Sequence, residues 1–145
     1  MHISDGVLSP QVWIGGYVVS AAIVVAATRK MESEDVPKVA VMTSVFFVAS
    51  LIHVPIGPTS VHLILNGLVG IILGPMAFVS ILLGLVLQAL LFQHGGITTI
   101  GANSLMMGLP ALLAYRIFNL HHRFHFKSKE AVFGAIAGGS GVLGG

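Results

Sequence analysis

The chain has 145 residues, 55% of them apolar and only 8% charged, with a net charge of +2 and no cysteine. So few charges cannot cover the surface of a water-soluble domain of this length, so the composition excludes one and specifies a membrane protein. The absence of cysteine excludes disulfides, thiolate metal sites and thiol nucleophiles together, leaving nitrogen and oxygen as the only donors for a metal.

The mean hydropathy of +0.96 agrees with the membrane assignment, and the pI of about 9.3 reflects basic loops. Those residues are too few and too divided to line a nucleic-acid groove.

In chain order, MHISDGVLSP lacks a basic n-region and precedes an apolar run too long for a signal-peptide core, so the N-terminus is expected to stay uncleaved. The bulk of His2 also makes initiator removal inefficient, which keeps the amine of Met1 beside it. Span one is predicted from about Gln11 to Thr28, followed by the polar loop from Arg29 to Asp35. Span two runs from about Val39 to Ile52, after Pro37 and Lys38. HVPIGPTS then breaks any helix, because Pro55, Gly57 and Pro58 crowd together. A third run opens near Val61 and stops at Gly74-Pro75, and a fourth covers Met76 to Phe92. The fifth follows GGITTIGAN and ends near Phe118. Each run is close to, or a little short of, the roughly 17 to 25 residues that a bilayer demands. Ala131 to Gly145 reads as a sixth span cut off early, so the chain is expected to be truncated at its C-terminus. The predicted fold is therefore all-α: a polytopic bundle of five spans plus a partial sixth, forming one integral-membrane domain over residues 1–145.

Alternate threading from an outside N-terminus puts Arg29, Lys30, Lys38, Arg116, Arg123, Lys127 and Lys129 all on the inner side. Because cytoplasmic loops are enriched in Lys and Arg, this is the expected orientation. Met1, His2, His53, His62 and His94 then share the outer face. HVPIGPTS and QHGGITTIGAN lie at outer span ends, either as plain surface turns or folded inward as walls of a pocket. Broken backbone at membrane depth needs surrounding protein or a wet cavity.

The sharpest chemistry lies at the first two residues. A free α-amine, the amide nitrogen of residue 2 and the Nδ1 of His2 can close two fused chelate rings around one cation. Three planar nitrogens suit Ni(II), Cu(II) or low-spin Co(II), whereas Zn(II) prefers a tetrahedron. A fourth corner needs another imidazole, and His62 lies at the outer mouth of span three. Asp5, the only acidic residue on the outer side, is either a partner for an imidazole N–H or the free amine, or an ordinary turn carboxylate ahead of Gly6. His53 and His94 read as ordinary interfacial histidines, and His121, His122 and His125 as inner-loop residues facing solvent or headgroups. Asn66, Gln88 and Asn103 are amides inside spans, expected to hydrogen-bond to neighbouring helices. Gly67, Gly70 and Gly74 permit close helix approach.

Three blocks, MHISDGVLSP, HVPIGPTSVHLILNGLVGIILGP and LLFQHGGITTIGANSLMMGLP, resemble the CbiM/NikM family. Its members are the substrate-binding membrane subunits, or S components, of energy-coupling-factor cobalt and nickel importers. The resemblance covers nearly all of residues 1–118. It implies metal ligands at Met1, His2 and His62; Asp5 and Asn103 are the candidate residues to support them. Ser4 stands where family members often carry proline, a change that spares every donor. The resemblance further implies Co2+ or Ni2+ as the transported substrate, supplied in some systems to cobalamin biosynthesis. It implies a transmembrane scaffold (T) subunit and cytoplasmic ATPase subunits as partners, with a small accessory membrane subunit in some systems. The location implied is a bacterial or archaeal plasma membrane.

The residues also exclude other classes. GITTIGAN has the glycine spacing of a phosphate loop but Ala102 in place of lysine, so this chain is not expected to bind ATP that way; together with the resemblance this implies a transport subunit without its own ATPase motif rather than an enzyme. No carboxylate lies within a span, which argues against proton-coupled transport. His-Glu-x-x-His and Ser/Lys protease signatures are absent. The competing readings are a secondary metal carrier and a membrane scaffold without a ligand.

Overall fold

The computed structural model describes residues 3–56, 59–62 and 65–120, with the backbone alone for 53–56 and 59–62. Met1, His2 and the expected sixth span lie outside these residues, as do His121, His122, His125, Arg123, Lys127 and Lys129.

The chain forms α1 (Pro10–Thr28), α2 (Asp35–Leu51), a hairpin of β1 (His53–Ile56) and β2 (Thr59–His62), then α3 (Asn66–Leu73), α4 (Ala77–Phe92) and α5 (Ile100–Asn119). A 3-10 turn at Gly74–Met76 joins α3 to α4, and another at Ile97–Thr99 leads into α5. Proline opens α1, where a missing N–H costs nothing. Pro37 likewise sits in the first turn of α2, so that helix starts at Asp35, one turn before the expected boundary.

The third predicted span needs correction, because its opening residues are not helical. Val61 belongs to β2, and α3 begins only at Asn66. Eight residues at 1.5 Å each give a helix of about 12 Å, well short of a hydrocarbon core of roughly 30 Å. The hairpin supplies the preceding stretch, pairing His53 with His62, Val54 with Val61, Pro55 with Ser60 and Ile56 with Thr59. Both strands satisfy backbone polar groups that a broken helix would leave bare.

By length and composition, three stretches among the described residues are fit to cross a membrane: Pro10–Thr28, Asn66–Phe92 and Ile97–Asn119. The middle stretch is bent rather than straight. Gly74 has φ 58° and ψ −130°, and a Cβ there would come within 3.1 Å of the Tyr115 ring. Glycine is thus required both for the left-handed backbone and for the close ring. Gly70 packs on the backbone of Ala111 and Gly74 on Tyr115, so α3 and α5 advance in the same direction. Phe78 of α4 then returns to the level of Gly108, so the chain reverses at Gly74-Pro75.

Polar contacts fix the remaining directions. Ser20 donates to the Gly101 carbonyl at 2.9 Å and shares a hydrogen bond with Ser104 at 2.8 Å, which holds α1 parallel to α5. Thr43 meets the Ser80 hydroxyl at 3.1 Å, Phe46 packs on Gly84, and Gln88 donates to Ser50. Those pairs run α2 alongside α4. The resulting bundle has two ends. Residues 3–9, Ile52, Gln93 and Ile97 stand at one, the amino end. Arg29, Lys30, Lys38, Pro75 and Arg116 stand at the other, the basic end.

The interior is Phe46, Val69, Phe78, Ile81, Ala111 and Ala114 together with buried Ser20, Thr43, Ser80, Thr99 and Ser104. The exterior is apolar, with Val18, Val41, Leu90, Leu91 and Leu113 each more than half exposed. Apolar side chains outside and hydroxyls inside reverse the pattern of a water-soluble fold.

Candidate functional site

The amino end is organised around the segment that precedes α1. Asn103, only 3% exposed, takes the Ile3 backbone from both sides. Its Oδ1 accepts the Ile3 N–H at 2.9 Å, and its Nδ2 donates to the Ile3 carbonyl at 3.1 Å. Thr99 donates to the same carbonyl at 2.8 Å and also to the Gly96 carbonyl at 3.0 Å. A side-chain amide holds a donor group and an acceptor at fixed separation, so it can satisfy the N–H and C=O of one residue as a neighbouring strand would.

Two residues on, Asp5 fastens the segment to the turn that opens α5. Its carboxylate accepts the Thr98 N–H at 3.0 Å, the Thr98 hydroxyl at 2.5 Å and the Ile97 N–H at 3.2 Å. These are orphan donors of a helical start, and an anion there also meets the positive end of the dipole. The Thr98 hydroxyl, followed by the two backbone N–H groups, holds the Asp5 carboxyl below its ordinary value of 3.8. Gly96 is the partner surface: any side chain there would collide with the Asp5 carboxylate. Tyr17 of α1 donates to the Ile97 carbonyl and completes the tether.

The sequence-predicted residues therefore fall into two groups. Asp5 and Asn103 come together, through Ile3, Thr98 and Thr99, into one docking network. The Asp5 oxygens are given to the Ile97–Thr98 turn, a long-range contact different from the local turn ahead of Gly6 that the sequence offered. Met1 and His2 lie outside the described residues, immediately beyond the clamped Ile3. His62 ends β2, and its Cα partner across the hairpin is His53. Sequence reasoning missed Thr98 and Thr99. The signal available was a pair of hydroxyls just before a helix start, where capping residues belong.

The three span amides behave differently from one another. Asn103 binds the N-terminal segment, and Gln88 joins Ser50 across α2 and α4 through its Nε2. Asn66 is fully buried, yet neither its Oδ1 nor its Nδ2 has a partner, and Gln88 Oε1 is also unpaired. Asn66 lies at the start of α3, at about the level of Met107 in α5, seven residues or about 10 Å below Ile100. Among the described residues, no three His, Asp or Glu side chains converge as a conventional metal cluster would.

A helical bundle with an apolar exterior, hydroxyls and amides set into its buried core and an N-terminal segment docked at one end is a multi-pass membrane protein. Residues 2–145 match the model of the CbiM family, described as the cobalt uptake substrate-specific transmembrane region, and the chain belongs to that family. A Haemophilus influenzae protein bearing a provisional metal-transport name is 39% identical over 144 residues, 99% of this chain and 69% of that one. The fused nickel transport protein NikMN of Rhodobacter capsulatus is 36% identical over 123 residues, 75% of this chain and 33% of that one. A crystal structure of a truncated transition metal transporter superposes with a TM-score of 0.75 at 28% identity, covering 99% of this chain and 72% of that chain.

Proposed function

We propose that this chain is the substrate-binding membrane domain of a cobalt or nickel importer, gripping the ion with the Met1 amine, the His2 amide and imidazole, and His62. The observation that carries this reading is the two-sided clamp of Asn103 on Ile3. It commits the Ile3 N–H to a side-chain acceptor, so the donors left for a chelate are those of residues 1 and 2. Two extended residues reach at most about 7 Å, which keeps the ion within that distance of the clamp. The hairpin that carries His62 opens from the same end of the bundle and supports the fourth nitrogen coming from there.

Four nitrogens in one plane suit Ni(II) and low-spin Co(II). The amine has an ordinary pKa of roughly 7.7 to 8.0, and the amide must also lose its proton, so uptake releases protons and weakens in acid. Clustering of Arg29, Lys30, Lys38 and Arg116 at one end supports an orientation with that end inside and the clamp outside. The fused NikMN relative supports operation beside another membrane component. A scaffold subunit and ATPase subunits then supply the energy, for which this chain carries no motif.

The test is metal content of the purified protein after dialysis against nickel or cobalt. The reading expects one ion per chain, lost in His2→Ala and in His62→Ala while the fold persists. Full occupancy in both variants overturns it.

A further inference from the structure

We propose that the cleft between the last turns of α1 and α5, at the basic end, binds the phosphate of an anionic phospholipid. The cleft has a volume of about 250 Å³. Lys30 and Arg116 supply its charge, Tyr115 its phenol, and Ile23, Ala26 and Leu112 its apolar wall, with Pro75 closing the side towards the α3–α4 turn. That is the layout of a headgroup seat beside an acyl-chain path. Tyr115 is fixed there because Gly74 admits its ring.

The charge balance favours an anion. Each helix C-terminus presents about half a negative charge, so α1 and α5 together offset roughly one of the two cations. About one positive charge remains. Among the described residues no carboxylate lines the cleft, and neither Lys30 nor Arg116 has an ion-pair partner. In the nearest acidic loop, Asp35 pairs with Lys38 at 3.4 Å and accepts the Glu32 N–H at 3.1 Å, and Glu32 and Glu34 stand outside the cleft lining. Basic pockets between helices at this level of a membrane protein suit lipid phosphates, with apolar walls that a free ion would not use.

The site is independent of the metal-ion reading, and its test keeps the two separate. Purified protein in detergent is titrated with palmitoyl-oleoyl phosphatidylglycerol or the matching phosphatidylcholine, and bound lipid is counted by native mass spectrometry. Wild-type protein is expected to prefer phosphatidylglycerol by roughly five-fold, the factor that one net near-surface cation supplies. Lys30→Gln with Arg116→Gln should bring the preference within two-fold, and Arg116→Lys should retain it, which shows that the cleft still folds. Arg29→Gln with Lys38→Gln, which removes the same charge from the same end outside the cleft, should also retain it. Equal binding of the two lipids by wild type, retention in the cleft double variant, or equal loss in the control pair overturns the proposal. So does displacement of phosphatidylglycerol by equimolar inorganic phosphate, which would make the ligand a free anion.

Discussion

Asn103 and Ile3 stand exactly one hundred positions apart and share a two-way hydrogen bond, N–H to Oδ1 at 2.9 Å and Nδ2 to C=O at 3.1 Å. Through that contact a span residue sets where the first two residues of the chain sit. Asn103→Leu removes both bonds while keeping the number and branching of side-chain heavy atoms. Nickel affinity, measured by isothermal titration, is expected to fall about 10- to 100-fold, as when a residue orienting a metal ligand is lost. Unchanged affinity would dissociate the clamp from the ion.

The Asp5 tether should carry a pH signature. Hydrogen bonds from Thr98 and Ile97 favour the ionised carboxyl, so its folded pKa lies below the ordinary 3.8. The docking this contributes is complete above 3.8 and is lost as pH falls through the lower folded value. Hydrogen exchange at the Ile97 and Thr98 amides is the readout. Protection should persist down to about pH 3.8 and disappear below it in wild type, and Asp5→Ala should lack protection throughout.

Asn66 places two unpaired polar atoms in a fully buried site. An unsatisfied buried amide costs about 1 to 3 kcal/mol, and an apolar side chain of similar size removes that cost. Asn66→Leu is therefore expected to raise stability by about that amount in detergent unfolding. A loss of stability would mean that the amide has a partner in the native membrane.

Two glycine substitutions should separate packing from propensity. A Cβ at Gly70 would enter the backbone of Ala111, whereas one at Gly15 meets nothing within 4 Å. Gly70→Ala is expected to destabilise the bundle by about 1 to 3 kcal/mol through forced separation of α3 and α5. Gly15→Ala should stabilise it by up to about 1 kcal/mol, the helix preference of alanine over glycine. Equal effects at both positions would show that α3 and α5 do not meet at Gly70.

The helices were legible in the sequence because lipid demands long apolar runs: α1 and α4 lie within a residue of the expected bounds, and α5 ends one residue past Phe118 but starts at Ile100, four residues earlier than expected and inside GGITTIGAN. The hairpin was not. Pro55, Gly57 and Pro58 announce a break, but not that β1 and β2 pair around it, since four-residue strands leave too little alternation to read. Asp5 and Asn103 were legible as polar residues out of place in an apolar chain. Their shared attachment through Ile3 and Thr98 was not, because it joins residues more than ninety positions apart and depends on how α1 packs on α5.

The most direct measurement is equilibrium nickel binding by protein whose Met1 amine has been acetylated, with His2, His62 and the Ile3 clamp left in place. Acetylation turns the terminal amine into an amide and takes away the first donor of the chelate without supplying a new one. Binding should fall at least 100-fold while the fold is unchanged. Affinity equal to that of the native terminus would contradict a site built on the Met1 amine.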